Sequence, residues 1–100
     1  MNNKVVVSKD IIFYAFRYVL GRRTYAPLVL KEAIKENIFK FDDWELKKMY
    51  DEIMYQDNIR LTNNEHYNPF GDNINFKIWM EIKNVIIEEM ERRNLRWQEF

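Results

Sequence analysis

Apolar side chains recur at intervals of three and four residues in four stretches of the chain, which is the pattern of helices that bury one face. The predicted helices cover residues 9–20, 26–36, 43–56 and 74–93. The short β-branched run Lys4-Val-Val-Val7 forms either a lone strand or an extended arm. The pattern therefore predicts an all-α fold, in which residues 1–100 form one small helical domain.

Residues that end or begin helices stand between these stretches. Gly21 can adopt the left-handed conformation that ends a helix. Thr24 is then the predicted N-cap of the second helix, with Pro27 in its first turn. Asp72 or Asn73 is predicted to begin the last helix. The segment from Gly21 to Thr24 is therefore predicted to be a tight turn between two helices.

Residues 57–73 differ from the predicted helices because they are rich in Asn, Asp, Gly and Pro. These residue types favour turns, so the segment is predicted to be one long loop before the last helix. Loops of this length are uncommon in compact domains and often carry function. The segment is therefore a candidate for a functional loop.

Length and composition restrict the class of protein. The chain has 100 residues, of which 47% are hydrophobic and 16% aromatic, enough for one core and unlike a disordered segment. It contains no cysteine, which fits a reducing compartment and excludes disulfides and thiolate metal sites. No apolar run has the length of a membrane span. We therefore expect a cytoplasmic protein that does not enter a membrane.

Side chains suited to catalysis are sparse. His66 is the only histidine and lies in the predicted loop, without a second histidine to complete a metal site. Ser8 is the predicted cap of the first helix, which leaves no serine or cysteine for acyl transfer. Two glycines cannot form a phosphate loop of the Walker type or a dinucleotide fingerprint. We therefore expect a protein that is not an enzyme and uses no metal or cofactor.

Positive charge is concentrated in the first third of the chain, although the net charge is zero. Residues 1–35 contain seven Lys and Arg against two Asp and Glu. A balanced total is unlike a non-specific DNA-binding domain, which is usually basic. Either the first third presents a local positive face, or the two parts of the chain neutralise each other where they pack.

The predicted turn between the first two helices is the first candidate site. Its predicted ligand-binding residues are Arg17, Tyr18, Arg22, Arg23, Thr24 and Tyr25. Arginine binds phosphate through two hydrogen bonds, and tyrosine offers a plane on which a base can stack. The predicted ligand is a phosphorylated small molecule, such as a nucleotide, or a nucleic acid. In the alternative, one arginine pairs with an acidic residue of the third or fourth helix and the tyrosines seal the core.

Large aromatic side chains near the end of the chain form the second candidate site. Exposed aromatic anchors dominate many protein interfaces. The predicted anchors are Tyr67, Phe70, Trp97 and Phe100. In this hypothesis the chain is a protein–protein inhibitor, an adaptor or an oligomeric structural protein. Trp97 and Phe100 follow the last predicted helix and would either pack on the domain or form a symmetric contact in a homodimer.

The segment Phe16-Arg-Tyr-Val-Leu-Gly-Arg-Arg-Thr-Tyr-Ala26, with the later Asp72 and Trp79, resembles a group of small accessory proteins. These are encoded by phages and prophages of low-GC Gram-positive bacteria. The resemblance implies a protein that acts in the host cell and counters a host defence system, by binding a host protein such as a nuclease or by sequestering a nucleotide signal. Arg22 and Arg23 are the residues expected to engage that partner.

Overall fold

A computed structural model describes residues 8–20, 27–63 and 68–95 of the chain. These residues form four α-helices and no strand, so the prediction of an all-α fold is confirmed. The helices are α1 (Lys9–Val19), α2 (Leu28–Asn37), α3 (Asp43–Asn63) and α4 (Asn73–Arg92), with a 3-10 turn (Ile38–Lys40) after α2. The predicted strand or arm at residues 4–7 lies outside the described residues.

The third helix is longer than its sequence pattern predicts. It continues to Asn63, so the prediction of a loop beginning at residue 57 is wrong. Asp57 is buried and holds Arg60 and Lys83 at 3.0 and 3.5 Å, and this packing keeps the segment helical. Thr62 donates its hydroxyl proton to carbonyl groups one turn earlier in the same helix. Asn58 and Thr62, which indicate a turn in the sequence, are therefore exposed residues of a helix.

The second helix begins later than predicted. Its first residue is Leu28 and its N-cap is Pro27, so the prediction that Thr24 caps this helix is wrong. Proline has no N–H and a φ near that of a helix, and here its φ is −83°, so it can precede the first turn without losing a hydrogen bond. Pro27 itself makes no side-chain hydrogen bond to the first turn. Gly21 and Thr24 lie outside the described residues.

The other predicted helix start is confirmed at Asp72. Its carboxylate accepts a hydrogen bond of 2.9 Å from the backbone N–H of Asn75, which is the third residue of α4. Asn94, two residues after the last residue of α4, has a left-handed backbone with a φ of 59°. The backbone N–H of Asn94 donates to the carbonyl of Glu91, and that of Leu95 donates to the carbonyl of Met90. This motif usually has glycine at the left-handed position.

The four helices surround one core, in which α1 packs on α2 and α3 and α4 packs on the same two helices. Lys9 near the start of α1 contacts Glu45 near the start of α3. Farther along both helices, Arg17 contacts Glu52. These two contacts show that α1 and α3 run parallel. The connection from α2 to α3 therefore crosses one end of the bundle between helices that are not neighbours.

The core is closed by large side chains at its centre. Trp79 on α4 meets Phe16 of α1 at 5.8 Å and Phe70 at 6.2 Å, measured between ring centroids. The buried apolar residues are Ile12, Phe13, Phe16, Leu20, Leu30, Ile34, Phe41, Leu46, Met49, Ile53, Phe70, Trp79, Ile82, Ile86 and Met90. Every helix and the crossing connection contribute to this set, so the domain has a single core.

The guanidinium group of Arg93 holds the crossing connection to the end of α4. Its N–H groups donate to the backbone carbonyls of Phe41 (2.7 Å), Phe39 (3.2 Å) and Ile38 (3.3 Å) and to the carboxylate of Asp43 (3.0 Å). These carbonyls belong to the 3-10 turn and to the residue just after it, where the helix ends and its last carbonyl groups need N–H donors from elsewhere in the chain. One side chain therefore fixes the point at which α3 begins.

Glu89 orients this guanidinium from within α4. The carboxylate is buried and accepts hydrogen bonds from Nε of Arg92 at 2.9 Å and from Nε of Arg93 at 2.7 Å. The hydrogen bonds from Arg92 lower the pKa of Glu89, burial of the carboxylate raises it, and the hydrogen bond from Arg93 lowers it again. The pKa of Glu89 is therefore below its ordinary value. Glu89 is therefore a buried charge with two cationic partners.

Replacing Arg93 by alanine should destabilise the domain more than replacing Arg92. The Arg93→Ala substitution removes the three side-chain hydrogen bonds to carbonyl groups of the crossing connection and one partner of buried Glu89, and we expect it to lower the free energy of unfolding by about 2–4 kcal/mol. Arg92→Ala is the matched control, because Arg92 is exposed and bonds only to Glu89 among the described residues. Urea unfolding followed by circular dichroism measures both; equal losses would contradict this role of Arg93.

Candidate interaction face

The structure describes two of the six predicted ligand-binding residues. Arg22, Arg23, Thr24 and Tyr25 lie outside the described residues. Arg17 pairs with Glu52 of α3, with 2.9 Å between Nε and Oε1, as the structural alternative predicts for one arginine. Tyr18 is 58% exposed and therefore does not seal the core, contrary to the same alternative. The last turn of α1 thus presents a tyrosine beside a paired arginine.

The prediction that Phe70 is an exposed interface anchor is wrong. Its side chain is 1% exposed and lies 5.9 Å from the ring of Phe76 and 6.2 Å from that of Trp79. The backbone turns at this point, because Gly71 has a φ of 91° and Asn68 accepts a hydrogen bond from the Phe70 N–H. This turn directs Phe70 into the core. The other predicted anchors, Tyr67, Trp97 and Phe100, lie outside the described residues.

Exposed aromatic side chains instead gather on the side of the bundle formed by α1 and α3. We call this surface the α1–α3 face and define it by Ile11, Tyr14 and Tyr18 of α1 and by Trp44, Lys48, Asp51 and Tyr55 of α3. Steps of three and four residues separate neighbours within each set, so each set follows one stripe of its helix. The five large side chains among them are each exposed by 58–67%.

Phe13 connects the two stripes. Its buried ring lies 6.0 Å from that of Tyr14 and 5.8 Å from that of Trp44, between centroids. The guanidinium of Arg17 also lies 5.8 Å from the Phe13 ring. One exposed ring of α1, that of Tyr14, and one of α3, that of Trp44, therefore contact the same core side chain.

A short row of charges crosses the same face. Glu52 accepts the hydrogen bond from Arg17 and lies 3.8 Å from the ammonium group of Lys48. Burial raises the pKa of the Asp51 carboxyl, against the effects of Lys48 and Lys47. Both signs of charge therefore lie among the aromatic rings.

The start of α2 is the described element that follows the predicted arginine turn in the chain. Its N-cap residue, Pro27, makes no side-chain hydrogen bond, and its first turn has no acidic residue. Leu28 and Val29 in that turn are exposed. The backbone N–H groups of a first helical turn have no partner within the helix and can bind an anion. This end of α2 is therefore compatible with the predicted phosphate, whereas Arg17 is already paired.

The described residues contain no group of three or more His, Asp or Glu side chains placed to hold a metal ion. None of the described helices is both long enough and apolar enough to cross a membrane. All buried side-chain nitrogen and oxygen atoms in the described part of the chain have a hydrogen-bond partner. The described interior therefore offers no unpaired polar atom that would point to a bound ligand.

No family model, curated protein or solved structure matches the chain. Its function must therefore be inferred from the α1–α3 face and from the residues around the start of α2.

Trp44 and Tyr55 are not among the sequence-predicted site residues. Their signal in the sequence is positional: they are separated by eleven residues, close to three helical turns, and lie on the side of α3 opposite its buried stripe. That stripe includes Leu46, Met49 and Ile53. Large aromatic residues on the polar side of an amphipathic helix would have identified both.

Alanine substitutions should separate core aromatics from face aromatics. Phe70→Ala leaves a cavity beside Trp79, and we expect a loss of about 3–5 kcal/mol in the free energy of unfolding. Tyr55→Ala removes an exposed ring and should change the same quantity by no more than about 0.5 kcal/mol. Thermal or urea unfolding of both variants provides the comparison. A small loss for Phe70→Ala would place that ring outside the core.

Proposed function

We propose that the protein acts by binding another protein surface through the α1–α3 face, without catalysing a reaction. The observation that supports this proposal is the exposure of five large apolar or aromatic side chains on α1 and α3, two helices that pack on each other. Tyrosine, tryptophan and arginine are the residues most often found at the energetic centre of protein interfaces. The protein thus belongs to the class of inhibitors, adaptors or oligomeric proteins.

The physical reason is the cost of leaving these side chains in water. Covering the exposed part of one of them contributes about 1–2 kcal/mol. The rings of Tyr14 and Trp44 are held by Phe13, so little side-chain entropy is lost when a partner covers them. The charges of Lys48 and Asp51 add polar groups that can set the orientation of the partner.

A photo-crosslinking amino acid at position 55 should capture a protein through this face. We expect adducts from position 55 in producing cells and few from position 35, because Lys35 is exposed on α2, away from the face. The adducts from position 55 should decrease when Trp44 is replaced by alanine. Mass spectrometry identifies the captured protein. Equal capture at both positions would contradict binding through the α1–α3 face.

The start of α2 favours a second candidate function, the binding of a phosphate-bearing ligand or an acidic surface by Arg22 and Arg23. Support comes from the first turn of α2, which follows these arginines in the chain, contains no acidic residue and receives no side-chain hydrogen bond from Pro27. Its N–H groups and the arginines would contact the same anion. The phage setting and the action against a host defence system stay predictions from the resemblance. In that setting a nucleotide signal or a nucleic acid is the expected ligand.

Replacing both arginines by alanine should weaken binding of such a ligand and leave the helical spectrum unchanged. We expect the unmodified protein to bind nucleotides, offered as a mixture of cyclic and linear forms, or a short oligonucleotide. The affinity should decrease as the salt concentration rises. Isothermal titration with these probes measures the effect, and Lys35→Ala serves as a control for the loss of positive charge. Unchanged affinity in the Arg22→Ala, Arg23→Ala double variant would contradict this site.

A further inference from the structure

We propose that the occupant of the α1–α3 face is a second copy of this chain, related to the first by a two-fold axis. This inference rests on the proposed function, since it names the partner of the same face. In a two-fold contact each residue meets a different residue of an identical surface. A surface suited to such a contact must therefore be complementary to itself when it is rotated by half a turn.

The stripe of α3 meets this condition. Along α3, the midpoint between Trp44 and Tyr55 lies between Met49 and Tyr50. The midpoint between Lys48 and Asp51 lies at the same place. If two copies of α3 lie antiparallel about that midpoint, Trp44 of one copy is level with Tyr55 of the other. Each tryptophan then packs on a tyrosine, and the arrangement occurs twice in the dimer.

The charges of the stripe are complementary under the same rotation. Lys48 of one copy is level with Asp51 of the other, and the reverse pair forms on the other side of the axis. Within one copy, Lys48 lies 3.8 Å from Glu52, a contact that leaves its ammonium group partly exposed. Burial already disfavours the charge on Asp51, and a cation from a second copy would offset that cost.

The stripe of α1 has its midpoint at almost the same height. The contacts from Lys9 to Glu45 and from Arg17 to Glu52 span 36 and 35 residues, so Tyr14 is level with the midpoint of the α3 stripe. The two-fold axis therefore passes close to Tyr14, and the Tyr14 rings of the two copies meet.

The outer residues of the α1 stripe obey the same rotation. Ile11 and Tyr18 are centred between Tyr14 and Ala15, so Ile11 of one copy is level with Tyr18 of the other. Two stripes on different helices thus share one rotation axis.

Charge reversal with mixing tests the proposal. Lys48→Glu places two acidic pairs in the dimer, and Asp51→Lys places two basic pairs there, so each variant alone should dissociate at least about tenfold more readily. When the two variants are mixed, each contact across the axis regains one acidic and one basic side chain. The mixture should therefore recover the dimer, which sedimentation equilibrium of the full chain measures.

A cysteine cross-link supplies an independent measurement, because the natural chain contains no cysteine. Tyr14→Cys lies at the axis and should form a disulfide-linked dimer under mild oxidation. Lys35→Cys is the control, since Lys35 is exposed on α2 and should cross-link far less. Circular dichroism establishes that every variant retains its helices.

Three results would overturn the proposal. One is an unmodified chain that stays monomeric up to about millimolar concentration, because a dimer with a dissociation constant above that value would be too weak for a specific contact. Another is a dimer that is insensitive to both charge reversals and is lost in Trp97→Ala, which would place the contact on the predicted C-terminal anchors. The last is a mixture that fails to recover the dimer. A monomer that still captures another protein from position 55 would overturn this inference and leave the proposed function standing.

Discussion

The guanidinium of Arg93 is the interaction on which the arrangement of the helices depends. The connection between α2 and α3 crosses the end of the bundle, where the carbonyl groups of the 3-10 turn and of Phe41 need hydrogen-bond donors. Arg93 satisfies three of these carbonyls and the carboxylate of Asp43, the first residue of α3. A lysine could not do so, because its single ammonium group lacks the planar fork that reaches several acceptors at once.

A second cation holds the same region from the opposite side. Lys9, at the start of α1, donates to Glu45 at 2.6 Å, and Glu45 also accepts the backbone N–H of Asp42 at 2.8 Å. Burial of Glu45 opposes its charge, but these hydrogen bonds and the charge of Lys9 lower its pKa. The start of α3 is thereby fixed to α1 as well as to α4. Trp44 lies within this fixed turn, so the α1–α3 face depends on both contacts.

The sequence pattern predicts the features that depend on neighbouring residues, such as the helices and their caps. It does not predict the features that depend on contacts between distant parts of the chain. Periodicity identifies all four helices, and the capping role of Asp72 follows from its side chain alone. The end of α3 depends on the pairing of Asp57 with a lysine of α4, which no local pattern contains. Phe70 is buried because Gly71 turns the chain, whereas its polar neighbours indicate exposure. Arg17 shows the same limit, since the position of its partner Glu52 depends on how two helices pack.

The balanced charge of the chain has a different meaning once the α1–α3 face is known. As a property of the sequence, a net charge of zero argues against non-specific binding of nucleic acid. A neutral protein also lacks the mutual repulsion that keeps molecules apart, so exposed rings on its surface favour association. Random association is restrained by the charges among the rings, because in most orientations Lys48 and Asp51 would meet no opposite charge on the partner. The combination of neutral charge, supported aromatic rings and interspersed ions therefore favours one specific protein contact over general adhesion.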